Sequence, residues 1–424
     1  MNVRTKADLL QMQSCPLNVK IGLTKARIRE WVREYGTDGV FVSFSGGKDS
    51  TVLLHIVREM YPDIEAVFVN TGLEYPEIQK FVKTFDNVTI LRPKMRFDEV
   101  LKNYGYPIIS KSVSNCVRGA KMGQQSRINL LNGLDCDGSE RHSKFSKKKY
   151  KPLLDVDFAI SEQCCDVMKK KPSKQYQRET GKKPILATMA VESMLREKTW
   201  LQNGCNAFDS KDPKSTPMAF WTEQDVLQYI KRYMQPHLDR TWEKAMYRTG
   251  GVRRKARKEL KRIGYRKSVI ASVYGDIVYV DNPEQMRLEE YSVDGCGTEK
   301  LTTTGCDRTG CIFCAFGCHL EKEPSRFQML KETHPRQYEY CIDGGEYVYI
   351  GTAYTSDGEP REIPWINDDN SPMTNEQIEE FITENKDKSS FKFEKIWKPN
   401  KQGLGMGHIF DELNKIYGDG FIKY

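Results

Sequence analysis

The sequence predicts an α/β protein, a doubly wound parallel sheet followed by a Cys-rich and basic C-terminal extension. Three observations carry that prediction. From residue 40 onward, short β-branched and aromatic runs alternate with segments of helical apolar spacing, the order that builds a parallel sheet covered by helices. The first strand-to-helix junction, "FVSFSGGKDSTVLL", holds two adjacent glycines, a lysine and several hydroxyls. Between about residues 236 and 340 lie the basic run at 250–267 and five of the twelve cysteines.

Residues 1–35 read as helical, and Gly36 after "LTKARIREWVREYG" is a C-cap signal. Strands are expected at 40–44, at "EAVFVN" (65–70) and at "VTILRP" (88–93), with helices at 49–60 and 75–85 between them. A later strand, "PILATMAV" (184–191), completes the pattern. A polar, Lys- and Gly-rich stretch at about 118–155 reads as a mobile insertion or small subdomain. Towards the C-terminus come a short strand "GDIVYV", a strand "EYVYIGTAY", a helix opened by Thr374 and a closing helix "GHIFDELNKIYG". The resulting domain expectation is an N-terminal helical segment (1–35), a nucleotide-binding domain (36–235), a basic and Cys-rich region (236–340) and an α+β extension (341–424).

The chain has 424 residues, enough for two or three domains, and 38% of them are hydrophobic. No apolar run approaches a membrane span, and "MNVRTKADLLQMQ" lacks the apolar core of a secretory signal, so a cytoplasmic protein without membrane contact is expected. Twelve cysteines in a chain of this size read as metal ligands or redox thiols rather than a disulfide framework. The net charge of +8 is unevenly spread: 144–151 carries five lysines, and 250–267 carries nine Lys or Arg against Glu259. A solvated helix face is the simple reading of one such run. Two runs with interleaved Phe145, Tyr150 and Tyr265 bring in nucleic acid as a partner, with Arg253, Arg254, Lys255, Arg257, Lys258, Lys261 and Arg262 as phosphate contacts.

At the glycine junction the backbone can turn tightly and aim successive N–H groups at one point, where a helix beginning near Asp49 adds its positive end. Lys48 supplies a mobile cation, and Ser45, Ser50 and Thr51 supply hydroxyls, so the junction reads as an anion cradle. A doubly wound sheet binds ligand at the carboxyl ends of its strands, which should bring Asn70, Thr71, Gly72, Leu73 and Glu74 to the same crevice. Glu192, Ser193 and Arg196 are expected at that edge after the later strand. The spacing does not fit G-x-x-x-x-G-K-[ST], because Gly46 and Gly47 are adjacent.

The junction resembles the pyrophosphate-binding SGGxDS loop of the adenine-nucleotide alpha hydrolases. "NTGLEYPEIQKFVKTF", "ILATMAVESMLRE" and "KSTPMAFWTEQDVLQYI" are similar to segments of the phosphoadenosine phosphosulfate (PAPS) reductase family, and together the likeness covers about residues 20–235. It implies a Rossmann-like nucleotide-binding domain in which Ser45, Gly46, Gly47, Lys48, Asp49 and Ser50 hold phosphate or sulfate and Arg196 neutralises an anion. ATP with magnesium, or an adenylyl sulfate, is the implied substrate.

Cys164-Cys165 and Cys311-x-x-Cys314 form a four-thiolate set that suits zinc or an iron–sulfur cluster. Adjacent cysteines rarely both reach one tetrahedral zinc, and the pairing resembles the four-iron cluster ligands of the iron–sulfur adenylyl-sulfate reductases. Cys306 or Cys318 is expected either to replace a ligand or to be a redox-active thiol, activated by a nearby cation such as Arg308. Cys15, Cys116, Cys136, Cys296 and Cys341 stand alone and read as plain thiols, and Cys205 is unassigned. The assimilatory reductases carry an E-C-G-[IL]-H nucleophile near their C-terminus, whereas no cysteine follows Cys341 here. Two functions therefore compete. One is ATP-dependent sulfur transfer to nucleic acid, with Lys48, Asp49, Arg196 and Cys318 as the catalytic set and a separate sulfur donor. The other is reduction of APS or PAPS with a thiol reductant protein, releasing sulfite.

Overall fold

The structure, a computed structural model, describes residues 4–135, 138–140, 146–262, 268–281, 299–355, 357–367 and 369–424. In chain order the described strands are β1 (Val40–Ser43), β2 (Ala66–Val69), β3 (Val88–Leu91), β4 (Ile108–Ile109), β5 (Lys183–Ile185), β6 (Asn206–Ala207), β7 (Lys214–Ser215), β8 (Ile277–Asp281), β9 (Glu299–Thr303), β10 (Ala315–Phe316), β11 (Glu346–Tyr354), β12 (Pro360–Glu362) and β13 (Phe391–Lys398). Two compact units, each built from two chain segments, divide the molecule: Met1–Lys94 with Met168–Ile312, and Met95–Val167 with Phe313–Tyr424. This partition differs from the expected boundaries at 36, 235 and 340. Residues 95–167 lie inside the predicted nucleotide-binding stretch, yet β4 within them pairs in parallel with β10, and Tyr106 Oη donates to Leu404 O at 2.8 Å.

The first unit is α/β, with a six-stranded sheet in the order β3-β2-β1-β5-β7-β6. Every neighbour pair is parallel except β6 with β7. The central strand β1 is apolar because both of its faces are covered: Val40, Phe41 and Val42 are buried. The helix Lys48–Met60 buries Val52, Leu53, Ile56 and Val57, and the helix Leu17–Tyr35 buries Ile28 and Trp31. The N-terminal helical stretch is broken in two at Cys15-Pro16, because proline and the extended residue before it cannot continue the helix Lys6–Ser14. Lys20 and Asp225, both buried, pair at 2.7 Å and tie the second helix to the capped start of the helix Glu223–Tyr229. Gly36 ends Leu17–Tyr35 at φ 75°, as the sequence suggests.

One strand is shorter than its sequence. The run 184–191 forms β5 only as far as Ile185, since its neighbour β7 is two residues long and offers a single pairing, Ile185 with Ser215. The chain then turns through Ala190–Glu192.

In the second unit β11 pairs antiparallel with β12 and β13. The helix Met406–Tyr417 buries Ile409, Phe410 and Leu413, with Phe410 packed 4.9 Å from the ring of Phe327. Part of the stretch at 118–155 read as a mobile insertion is helical, in the last residues of the helix Lys111–Lys121, in Gln125–Asn132 and in the 3₁₀ turn Lys148–Leu154. Within those bounds Ala120, Leu131 and Leu153 are buried, which anchors the described parts of a segment whose overall composition is polar. Thr374 opens the helix Asn375–Asn385 with a reciprocal cap to Gln377. Among the described residues no helix is long and apolar enough to cross a membrane.

Candidate functional site

The glycine junction lies at the carboxyl end of β1, where the doubly wound rule places a ligand. Gly46 turns the chain at φ 72°, a region costly for other residues, and a Cβ there would stand 2.7 Å from Ile78 Cγ2 and 2.8 Å from Val82 Cγ2. Gly47 is the N-cap of Lys48–Met60. The hydroxyls knit the turn together: Ser45 N donates to Ser50 Oγ (3.2 Å), Gly47 N to Ser45 Oγ (3.3 Å), Ser50 Oγ to Gly47 O (3.0 Å) and Thr51 Oγ1 to Gly47 O (2.8 Å). Ser50 and Thr51 thus shape the turn, while Ser45 is exposed.

Lys48 differs from its expected role as a mobile cation. It is 3% exposed, and its Nζ donates to Asp307 O and pairs with Glu223 Oε1 at 2.7 Å. Its backbone N donates to Tyr274 Oη at 3.2 Å, and Tyr274 Oη lies 2.6 Å from Thr309 Oγ1. A Cβ on Gly47 would meet those same two hydroxyls at 3.2 and 3.3 Å. Asp49 is largely buried with Oδ1 lacking a hydrogen-bond partner. Burial raises its carboxyl above the usual range, against the pull of Lys48 and Arg308.

The second strand end contributes Thr71, whose N and Oγ1 donate to the buried Glu74 carboxylate at 3.0 and 2.8 Å. Gly72 N donates to Asn70 Oδ1, closing the turn. At the third, Glu192 accepts from Met189 N, and Ser193 caps the helix Met194–Asn203. Arg196 pairs with Glu192, and it lies near enough to Arg308 and Asp49 for both charges to act on it. Beside the loop opens a cavity of about 420 Å³, within the range of small-molecule sites. Ser45 and Glu74 line it with Lys169, Lys170, Lys174 and Lys214, above an apolar floor that includes Phe44 and Ile78. Lys174 pairs with Asp212 at 2.9 Å. This lining suits a ligand with an apolar or aromatic body and several negative charges.

Residues 39–115 match the phosphoadenosine phosphosulfate reductase domain family. Among relatives, the chain is 38% identical over 69 residues to a phosphoadenosine 5'-phosphosulfate reductase of Xylella fastidiosa, a match covering 16% of this chain and 29% of that protein. It is 24% identical over 217 residues to an adenosine 5'-phosphosulfate reductase of Staphylococcus haemolyticus, covering 50% of this chain and 68% of the relative. An uncharacterized protein of Methanocaldococcus jannaschii is 32% identical over 112 residues, covering 25% and 27% of the two chains. The matched stretch thus spans little more than a quarter of the length of the Xylella and Methanocaldococcus proteins. Among solved structures, a PAPS reductase from Candida auris in complex with phosphate aligns with 54% of this chain and 86% of its own, at 12% identity and a TM-score of 0.28.

The matched family domain contains the glycine loop and the Asn70–Glu74 turn but none of the residues that cover the loop. Tyr274, Glu223, Asp307, Arg308 and Thr309 come from far along the chain, and sequence reasoning placed only Arg308 near reactive groups. Lys169, Lys170 and Lys174 were also missed; the only signal for them is the lysine run in "CCDVMKKKPSK".

The thiols depart from expectation. Cys318 is buried with its Sγ donating to Ala315 O at 3.0 Å, and burial pushes its pKa up to about 12. Burial likewise lifts Cys306 to about 11, although Lys48 opposes it. At both thiols desolvation outweighs the pull of the nearby cations, the opposite direction to the activation expected from Arg308. Of the four predicted ligands, Cys164, Cys165 and Cys314 belong to the second unit and Cys311 to the first. Cys165 and Cys314 are close enough for their charges to interact, and Cys314 and Cys318 likewise. Among the described residues, no group of three or more His, Cys, Asp or Glu is gathered to hold a metal ion.

The described part of the basic stretch forms the helix Gly250–Arg262. Ala256 and Leu260 are buried with Leu238 and Ala245, so Arg254, Lys255, Arg257 and Lys258 remain on the exposed face. Arg253 is half-buried. The side chains of Lys261 and Arg262 lie outside the described residues, as do Cys136, Lys144, Phe145, Tyr265 and Cys296.

Proposed function

We propose that the first unit binds ATP and uses it to activate an acceptor for sulfur transfer, with nucleic acid as the acceptor. The observation that carries this reading is the tight glycine turn at Ser45–Thr51, set at the carboxyl edge of a parallel sheet beside a lysine-lined cavity. An acceptor oxygen attacks the α-phosphorus, and pyrophosphate leaves with the bonding electrons. The outer sulfur of a donor persulfide then attacks the activated position, and AMP leaves with the bonding electrons. A second thiol of the donor reduces the resulting acceptor–donor disulfide, leaving the acceptor thiolated and the donor as a disulfide. Turning the oxygen into part of AMP makes it a good leaving group.

Arg196 and the cavity lysines offset charge on the phosphates. Magnesium would accompany the nucleotide, and Asp49, with an unpartnered buried Oδ1, is the carboxylate suited to meet it. The exposed basic face of Gly250–Arg262 supports nucleic acid as the acceptor.

Cys164, Cys165, Cys311 and Cys314 would be the ligands of an iron–sulfur cluster, or less readily of zinc. Their soft thiolates suit such a group, but among the described residues no three of them are gathered around one point.

The second reading, reduction of APS or PAPS to sulfite, is favoured by the names of the reductase relatives. Its attacking thiol would be Cys306 or Cys318, although burial pushes both thiols up. One preparation tests both readings: anaerobically purified protein assayed for iron and sulfide, for pyrophosphate release from ATP with and without tRNA or DNA, and for sulfite release from APS and PAPS. Pyrophosphate release stimulated by nucleic acid supports sulfur transfer. Sulfite release without ATP cleavage overturns it in favour of the reductase.

A further inference from the structure

Three protein oxygens occupy the positions from which a phosphate loop would be expected to hold its ligand. The Asp307 carbonyl and the Glu223 carboxylate take Lys48 Nζ, and Tyr274 Oη takes the Lys48 backbone N–H at the helix start. Thr309 Oγ1 supports Tyr274 from behind at 2.6 Å, and the Tyr274 ring lies 5.5 Å from Lys48 Nζ. Gly47 leaves the room for both hydroxyls, which a Cβ there would crowd at 3.2 and 3.3 Å. Thr309 and Gly310 also line the cavity beside the loop, so the segment covering Lys48 is at the same time part of the ligand's wall.

We propose that Tyr274, Glu223 and the Asp307–Thr309 segment form an internal latch on the glycine loop, one that a ligand bearing a pyrophosphate group displaces and a monophosphate does not. The proposal rests on reading the loop as a phosphate site. The latch offers Lys48 and its N–H acceptor oxygens, one of them anionic, which is the same chemistry that phosphate oxygens offer. Displacing them therefore requires a ligand of greater charge that can meet the lysine and the helix start together, as adjacent phosphates do. Apparent affinity is lowered by the fraction of molecules that are unlatched, so weakening the latch strengthens binding. Glu223 can swing away readily, because its side chain is 43% exposed while that of Lys48 is 4% exposed.

The test uses the full chain with two separate variants, Glu223→Gln and Tyr274→Phe. The first reading is trace acetylation of amines with no ligand present, followed by peptide mass spectrometry of Lys48 against the exposed Lys102. In the wild type Lys48 should react roughly fivefold or more slowly than Lys102, and in either variant the gap should narrow. The second reading is calorimetry with inorganic pyrophosphate and with inorganic phosphate. Pyrophosphate should bind about tenfold more tightly to the variants than to the wild type, with phosphate weak throughout. Wild-type Lys48 reacting as fast as Lys102 overturns the latch, and so does pyrophosphate binding weakened in both variants, which would make these residues supports of Lys48. If acetylation follows expectation but neither pyrophosphate nor ATP binds any form, the nucleotide reading fails while the restraint on Lys48 stands.

Discussion

Gly46 is the residue at which backbone and packing demands coincide. It sits at φ 72°, and a methyl group would enter the space held by Ile78 and Val82. Gly46→Ala is expected to destabilise the first unit by about 2 kcal/mol or more, from left-handed strain plus overpacking, and to abolish pyrophosphate binding. Denaturant titration and calorimetry check the two parts; unchanged stability with unchanged binding would show that the turn tolerates a side chain. The glycines, hydroxyls and lysine were legible because they are contiguous. What covers Lys48 was not, because nothing in the local sequence of Tyr274 or Asp307, far along the chain, marks them as neighbours of the loop, and Glu223 sat in a segment likened to the family without a role of its own. The thiols illustrate a different limit. "CDRTGC" does place Arg308 beside cysteines, but sequence carries no measure of desolvation, and desolvation decides the protonation of Cys306.

Among the elements, β2 is pinned at its entry by Glu65. Burial would raise this carboxyl, but hydrogen bonds from Lys182, Thr89 and Tyr176 outweigh it and hold the pKa below the ordinary 4.5. The contacts join β2 to β3, to the helix Lys171–Thr180 and to the approach to β5. A carboxyl lowered on folding contributes stability that is fully present above its unfolded pKa and is lost as pH falls through the folded value. The thermal stability of the first unit should therefore fall as pH drops below about 4.5, and Glu65→Gln should flatten that dependence while lowering stability at pH 7. An unaltered acid limb in the variant would remove Glu65 from the account.

The basic helix gives the second prediction at this scale. Converting Arg254, Lys255, Arg257 and Lys258 to Glu should leave stability nearly unchanged, because Ala256 and Leu260 seat the helix. Nucleic-acid affinity should fall more than about tenfold, and the salt slope should shrink by roughly three to four units. An unchanged slope would place the nucleic-acid contact elsewhere or remove it. Strands and helices bounded by clear breakers were readable to within a few residues. β5 was overextended because the sequence of a strand does not disclose how short its neighbour is.

At the scale of the whole molecule, each compact unit is discontinuous in sequence, and this was the least legible feature of all. Composition and motif order suggested boundaries in chain order, whereas the parallel pairing of β4 with β10 joins segments that no linear reading connects. If each unit is a cooperative body, a lesson learned in one of its segments should be felt in the other. Tyr106→Phe leaves the buried Leu404 carbonyl without its donor, a loss of about 1–3 kcal/mol. Hydrogen exchange should then accelerate together in residues 95–167 and 313–424, with Val40–Ser43 and Ala66–Val69 unaffected. Acceleration confined to the neighbourhood of residue 106 would show that these segments do not unfold as one.

The same interleaving dictates an order of events during synthesis. β1, β2 and β3 leave the ribosome as a sequence-local trio and can pair at once, but the free edge of β1 waits for β5 until the whole of 95–167 has emerged. Residues 95–167 in turn present apolar faces whose partners are among the last to be translated. For much of its synthesis the nascent chain must therefore keep two unfinished surfaces in water, an exposure set by strand order rather than by overall stability.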